Sequence, residues 1–209
     1  INGVLVVGTE PAAFWAELGD LFAPLSPPDR QRLAEIYGDP PSFAQFADFI
    51  AVHELGHLYH PKAQVHFPRL WLKEFFANLC MYAYAAAEEP EALPLVSVAP
   101  RLLAGLPAAV QHTSLADFEQ LYSGVGPANY SWYQFGLTAL AEELYNAAGP
   151  PALPAVAQRF EHTRDEMSDG ELMKVLATIH PVLAAGISTW PGQVGSTGAT
   201  TRSGASTGP

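Results

Sequence analysis

Apolar residues recur along most of this chain at intervals of three and four, the spacing of helices that bury one face. Breaks that contain proline and glycine separate these segments. The pattern predicts helices over residues 11–21, 28–37, 42–60, 69–88, 115–122, 129–148, 152–160 and 169–176. Four apolar residues at 4–7 form the best strand candidate, and closely spaced prolines predict an irregular segment over 91–105.

The fold class that follows is mainly α with minimal strand. The chain is 49% hydrophobic and 15% charged, a composition typical of globular proteins. The predicted helices lie in one domain over residues 1–190. Residues 191–209 are rich in Gly, Ser and Thr without apolar periodicity, which predicts a flexible tail.

Charge and cysteine content exclude several classes of partner and site. The formal net charge is −11 and no Lys/Arg cluster is present, which disfavours nucleic acid and anionic membranes as partners. No apolar run approaches the roughly 20 residues of a membrane-spanning helix. Cys80 is the one cysteine, which excludes an intramolecular disulfide and a cysteine-rich zinc site. The single cysteine and the lack of a signal peptide in this chain favour the cytoplasm, although a start at Ile1 is consistent with removal of a targeting sequence.

The motif with the most chemical content is His53-Glu54-Leu55-Gly56-His57, an HExxH pentapeptide inside the helix predicted for 42–60. Positions four apart lie on one face of a helix, so both imidazoles can reach a single metal ion. Glu54 lies roughly 100° around the helix from His53 and can take a proton from a metal-bound water. The motif therefore predicts a zinc centre that hydrolyses amide bonds.

A hydrolytic zinc needs a third protein ligand and keeps water in its fourth position. Glu74 is the best candidate, because an antiparallel return of the next predicted helix brings it back over His57. His60 shares the helix face but lies about 10 Å along the axis from His53. His66 lies in a loop from which it could reach the site. If either of these completed four ligands with Glu74, the zinc would be structural.

Asn78 follows Glu74 by four residues on the same helix face, so its amide can orient a liganding histidine. The segments Val52–His57 and Trp71–Asn78 together resemble the gluzincin metallopeptidases, whose HExxH is followed by a helix with W-L-x-E-x-x-A. The resemblance implies a thermolysin-like helical catalytic domain with one Zn²⁺ ion and the motif glutamate as general base. The implied ligands are His53, His57 and Glu74.

A later segment, Tyr133–Gly136, matches the Y-x-x-G of M1-type aminopeptidases, which belong to the same peptidase MA-like group. That resemblance implies that Tyr133 stabilises the oxyanion of a tetrahedral intermediate, with Tyr130 as the alternative. The chain has no G-x-M-E-N motif, so aminopeptidase specificity is not implied. The ImmA/IrrE regulatory metallopeptidases are a second group that the chain resembles, through the E-x-x-A-N that begins at Glu74.

These patterns predict a zinc-dependent peptidase that acts on a peptide or protein substrate. In this hypothesis Glu54 is the general base and Tyr133 the oxyanion donor. The alternative from another class is a non-catalytic or regulatory metal-binding module, and a third hypothesis is a metal-free helical interaction domain. A folded protein without bound zinc would favour the metal-free interaction domain. Catalytic turnover would distinguish the peptidase from the non-catalytic metal-binding module.

Overall fold

The computed structural model describes residues 21–104, 106, 110–163 and 166–191. Within these ranges the chain forms nine α-helices and two short 3-10 helices, and its one β-type contact is an isolated bridge between Val65 and Glu161. The mainly α fold class is confirmed for this part of the chain. The predicted strand at 4–7, nearly all of the helix predicted for 11–21, and the predicted tail beyond Pro191 lie outside the described residues.

The α-helices are, in chain order, α1 (Pro27–Tyr37), α2 (Ala44–Lys62), α3 (Leu70–Glu88), α4 (Leu93–Ala104), α5 (Leu115–Leu121), α6 (Pro127–Ala148), α7 (Ala152–Phe160), α8 (Asp169–Ile179) and α9 (Pro181–Ser188). The 3-10 helices are Pro90–Ala92 and Tyr122–Val125. All helices predicted between residues 28 and 176 are present, with ends shifted by at most three residues. Helix α9 was not predicted. None of the described helices is long and apolar enough to cross a lipid bilayer.

The prediction of an irregular segment over 91–105 was wrong, because α4 occupies most of it. Pro94 is the second residue of this helix, where a missing N–H is tolerated. Pro100 lies inside the helix and removes one backbone hydrogen bond. Val96, Ala99 and Leu103 recur at helical spacing and are buried. Packing of this apolar face stabilises the helix despite the prolines, and local propensity alone did not reveal it.

The core of the protein is organised around α3, which packs against both α2 and α6. Side chains without exposed area come mainly from two helices, Leu72, Phe75, Phe76 and Leu79 from α3, and Leu137, Ala141 and Leu144 from α6. Burial of each large apolar side chain stabilises the fold by roughly 1.5–3 kcal/mol. Helices α3 and α6 therefore form a rigid frame, and α2 lies against it.

Close approach of α2 to α3 depends on Gly56, the fourth residue of the HExxH motif. A methyl group at Gly56 would lie 3.0 Å from Cα of Ala77 and 3.3 Å from Sγ of Cys80. A contact of 3.0 Å with backbone is tighter than most contacts of packed Cβ atoms, so any larger residue at position 56 would require the two helices to shift by a few tenths of an ångström. The motif thus contains both the imidazoles and the residue that brings them near α3.

The first turn of α3 is held by a side chain from α5. The Leu70 amide donates hydrogen bonds to both carboxylate oxygens of Glu119, at 2.9 and 2.8 Å. A carboxylate at this position satisfies an N–H that lacks a helical partner and interacts favourably with the helix dipole. Because Glu74 lies one turn further along α3, this contact fixes the segment that carries it.

Candidate metal centre

Three donor atoms from α2 and α3 form a nearly equilateral triangle. Nε2 of His53 and Nε2 of His57 are 3.0 Å apart, and each lies 3.3 Å from Oε2 of Glu74. Ligands of one tetrahedral zinc, with bonds of 2.0–2.2 Å, are separated by roughly 3.4 Å. The donor set therefore fits zinc in chemistry and in spacing. Among the described residues it is the one group of three or more His, Cys, Asp or Glu side chains that converge in this way.

The carboxylate of Glu74 lies in the core and is surrounded by donors. Its side chain is 1% exposed. The Tyr122 hydroxyl donates to Oε1 at 2.8 Å, Nε2 of Gln134 donates to Oε2 at 2.8 Å, and the Tyr130 hydroxyl approaches Oε2 at 3.5 Å. These contacts offset much of the cost of burying a charged group.

Electrostatics fix the protonation states of Glu74 and of the two tyrosines beside it. Burial by itself would raise the pKa of Glu74, but hydrogen bonding and charge attraction from His53 and His57 hold it well below its usual value. Burial, followed by the Glu74 charge, raises the pKa of Tyr122 to about 12, and the same causes raise the pKa of Tyr130. Glu74 is therefore an anion, and both tyrosines remain hydrogen-bond donors.

The two imidazoles of the motif differ in the hydrogen-bond partners of their Nδ1 atoms. Nδ1 of His53 lies 2.8 Å from Oδ1 of Asn78, which is the residue predicted to orient a ligand. Nδ1 of His57 is buried and has no hydrogen-bond partner among the described residues. His60 and His66 lie outside the group of convergent donors. Their Nδ1 atoms contact the backbone carbonyls of residues 65 and 64, respectively, and Nε2 of His60 is buried without a hydrogen-bond partner among the described residues.

A cavity of about 120 Å³ lies beside the cluster and is lined by both His53 and Glu54. Much of its wall is apolar and comes from Phe46, Ile50, Met81 and Phe135. Ser131 also lines it, and in the part of the chain that the structure describes its buried Oγ has no hydrogen-bond partner. Glu54 is partly exposed and is also one of the residues that line the cavity. Of the three donor residues, His53 is the one that lines this cavity.

The structure does not bring Tyr133 into the cluster. Its side chain has no exposed area, and its hydroxyl donates to the Ser114 carbonyl at 2.8 Å. Its ring lies within 5.0 Å of the Phe118 and Trp132 rings, measured between centroids. Tyr133 is displaced by roughly 100° around α6 from Gln134, so it faces the core between α5 and α6 and not Glu74.

Two residues of the site were missed in the sequence. Gln134 lies one helical turn after Tyr130, and this i, i+4 relation to a candidate oxyanion donor was the available signal. Tyr122 gave no signal, because it reaches Glu74 from a short 3-10 segment. Its φ of 45° is rare for a bulky residue, so tertiary contacts determine where its side chain lies.

No known protein family, curated protein or solved structure matches this chain. The chemistry of the site is therefore inferred from its own residues. They form a His/His/Glu donor triangle, and beside it lies a mostly apolar cavity that His53, Glu54 and Tyr130 line.

Proposed function

We propose that this chain is a zinc-dependent peptidase. The observation that supports the proposal most strongly is the triangle formed by His53, His57 and Glu74, with edges of 3.0, 3.3 and 3.3 Å. Three protein ligands are typical of a hydrolytic zinc, whereas structural zinc sites close the fourth position with protein. His60 and His66, the residues that would close it, are not among the donors that converge with these three.

His53, His57 and Glu74 would hold the ion, and Glu54 acts on the attacking water. Zinc at such a site polarises the scissile carbonyl and lowers the pKa of the water. Glu54 accepts a proton from that water as it attacks and donates it to the departing amine. Its position beside His53 on the cavity wall, where it is partly exposed, supports this role.

Tyr130 is the residue that we assign to stabilise the oxyanion, in place of Tyr133. Tyr130 lines the cavity together with His53 and Glu54. Its hydroxyl lies 3.5 Å from Oε2 of Glu74, at the limit of hydrogen bonding, so its proton can turn towards a stronger acceptor. The Tyr122 hydroxyl is less suited, because a 2.8 Å hydrogen bond already commits it to Glu74.

The cavity defines the class of side chain that the substrate presents. An apolar cavity of about 150 Å³ holds a benzene molecule, and this cavity is somewhat smaller, at about 120 Å³. It therefore accommodates a side chain of about the size of leucine or methionine. The unpartnered Ser131 hydroxyl offers one hydrogen bond to a polar atom of the same side chain.

Cleavage of an unbiased peptide mixture by the zinc-loaded protein, followed by mass spectrometry, tests the proposal. The expected result is cleavage that stops on chelation, returns with zinc, and falls by about 10²–10⁴-fold in Glu54→Gln while zinc affinity is retained. Full activity of zinc-loaded Glu54→Gln would exclude Glu54 as the base. Tight zinc binding without cleavage of any peptide would instead favour the non-catalytic metal-binding module.

A further inference from the structure

Helix α2 carries a second set of regularly spaced residues, on a face that is accessible in the described part of the chain. Five residues form this α2 stripe, namely Asp48, Val52, Leu55, Tyr59 and Lys62. Their intervals of four, three, four and three are those at which two helices pair in a coiled coil. Leu55 and Tyr59 are each 52% exposed, and both charged residues are exposed too. The stripe thus has an apolar centre between an acidic end and a basic end.

Exposed apolar side chains of large size concentrate at this stripe. The described residues include four of them, and three are Leu55, Tyr59 and Tyr84. Tyr84 comes from α3 and lines one groove together with Val52, so it extends the apolar surface beyond α2. The Tyr59 ring stacks on the buried Phe76 ring with 6.3 Å between centroids, which holds it in place. A contiguous exposed apolar surface with a polar rim is typical of a protein–protein contact site.

The charges of the α2 stripe are complementary to those of the same stripe in the reverse direction. Asp48 and Lys62 each lie seven residues from Leu55, which is about 10 Å along the helix axis on either side. Neither charged side chain forms an ion pair with a described residue. A twofold rotation through Leu55 that sets two such helices antiparallel brings Asp48 of each copy opposite Lys62 of the other. A parallel arrangement would instead bring like charges together at both ends.

A groove beside the acidic half of the stripe has space for a side chain from such a second copy. The groove has a volume of about 410 Å³, and its lining includes Phe49, Val52, Tyr84 and Leu95. Tyr59 lies four residues after the centre of the stripe, and Val52 lies three residues before it. Antiparallel pairing therefore brings Tyr59 of the second copy level with Val52 and next to this groove.

We propose that a second copy of this chain docks on the α2 stripe, with the two α2 helices antiparallel and Leu55 at the twofold axis. The net charge of −11 makes two copies repel each other, so the complementary ends select this orientation over those that bring like charges together. Glu54, which lines the cavity beside the donor triangle, lies roughly 100° around the helix from Leu55. The dimer therefore covers Leu55 and Tyr59 and leaves Glu54 accessible. Dimerisation does not depend on peptidase activity or on bound metal.

Sedimentation velocity of the full chain over a range of protein concentrations tests this surface. The wild type should form a reversible dimer. Leu55→Asp would place two carboxylates at the axis, so it should weaken the dimer by about 30-fold or more, as loss of a central interface residue does. Leu121→Asp is the matched control, because Leu121 is 41% exposed on α5 and lies outside the stripe. It should dimerise like the wild type, and circular dichroism checks that both variants are folded.

Charge reversal at the two ends tests the orientation, and it also tests the surface if Leu55→Asp does not fold, because exposed positions rarely affect folding. Asp48→Lys alone, or Lys62→Asp alone, places like charges opposite each other in the antiparallel dimer and should weaken it. An equimolar mixture of the two variants should form a heterodimer, because each end of one variant then meets the opposite charge on the other. The chain that carries both substitutions should form homodimers as the wild type does.

Three results would overturn this arrangement. A wild type that remains monomeric at every concentration would show that the stripe binds no second copy, and destabilisation of that monomer by Leu55→Asp would indicate that another part of the same chain covers it. A dimer that Leu55→Asp leaves intact would place the contact on another surface. A dimer that both single charge reversals leave intact would exclude the antiparallel orientation. None of these results depends on cleavage of a peptide.

Discussion

The two helices that form the candidate centre are buried to very different extents. On α3, Glu74 and Asn78 are 1% and 3% exposed and lie among side chains of the core. On α2, Leu55 and Tyr59, which share the motif helix with the two histidines, are each 52% exposed. The α3 side holds its polar groups in a dense network, and the α2 side keeps one surface in contact with solvent. In the proposed function, the α3 side holds the ligands in place and the α2 side admits the substrate.

The difference has a physical cause in the charge of Glu74. A carboxylate in the core needs hydrogen-bond donors, and Tyr122 and Gln134 supply them at 2.8 Å. Glu54 on α2 is partly exposed, so solvent can stabilise its charge. In the proposed function, the same residue type is thus a fixed ligand on one helix and an available base on the other. Substitutions on the two sides should accordingly affect different properties.

The largest effect is expected from Glu74→Ala, which removes a ligand and leaves buried donors without an acceptor. Loss of one of the ligands of a zinc site should lower zinc affinity by roughly 10²–10³-fold. The metal-free protein should also lose about 3 kcal/mol of unfolding free energy, because the remaining members of a buried polar cluster are uncompensated. Zinc titration and urea unfolding measure the two quantities.

Glu54→Ala is the matched control for that experiment, on the partly exposed side. Its unfolding free energy should remain within about 0.5 kcal/mol of the wild type, as for most surface positions. Equal destabilisation by the two substitutions would show that the α2 and α3 sides do not differ in the way described.

Tyr130→Phe should have the next largest effect, confined to turnover. Removal of one preorganised donor to an oxyanion lowers kcat by about 10²-fold or more. Tyr133→Phe is the control on the same helix, since its hydroxyl bonds the Ser114 carbonyl, and its kcat should remain near that of the wild type. Steady-state kinetics of both variants on one peptide substrate decide the assignment. A large loss in Tyr133→Phe alone would restore Tyr133 as the donor.

Gly56→Ala tests how closely the two sides must approach. The added methyl would meet the α3 backbone at 3.0 Å, and such overpacking destabilises a protein by about 1–3 kcal/mol. Burial raises the pKa of the Cys80 thiol to about 12, so the native thiol stays protonated and reacts slowly near pH 8. Separation of α2 from α3 should increase its alkylation rate and weaken zinc binding together. An unchanged alkylation rate in a folded Gly56→Ala protein would contradict the proposed close packing.

The smallest effect is expected from Ser131→Ala, in the cavity that residues of α2, α3 and α6 line. Loss of one hydrogen bond of about 1 kcal/mol should reduce kcat/KM roughly fivefold for peptides with a threonine or glutamine in the pocket. Peptides with leucine there should be cleaved as well as before or better. The ratio of the two rates is the informative measurement, and a ratio equal to that of the wild type would exclude Ser131 from substrate selection.

The sequence predicts the residues of the donor triangle well because each lies at a fixed helical position. The i, i+4 spacing places His53 and His57 on one face of α2. This helix continues through Pro61 to Lys62, and the break before Leu70 allows α3 to return beside it. Apolar periodicity also predicts the helices that support them. Gly56 then lets these helices approach, although that requirement becomes visible only once α3 is in place.

The residues that surround the triangle could not be predicted with the same success, because they come from other elements. Tyr122 reaches Glu74 from a 3-10 segment with an unusual backbone angle, which no periodic pattern predicts. The choice between Tyr130 and Tyr133 depends on the rotation of α6 about its axis. That rotation is set by packing against α3 and α5, so the resemblance to a Y-x-x-G segment favoured the residue whose hydroxyl lies elsewhere.

The most direct test of the central claim is X-ray absorption spectroscopy on the folded protein loaded with one equivalent of zinc. The account predicts a single bound ion with two imidazole nitrogens and two oxygens, one from Glu74 and one from water, at about 2.0–2.2 Å. In Glu74→Ala the imidazole contribution should remain and the carboxylate contribution should disappear. A native protein that binds no zinc, or binds it with four protein ligands, would contradict the claim.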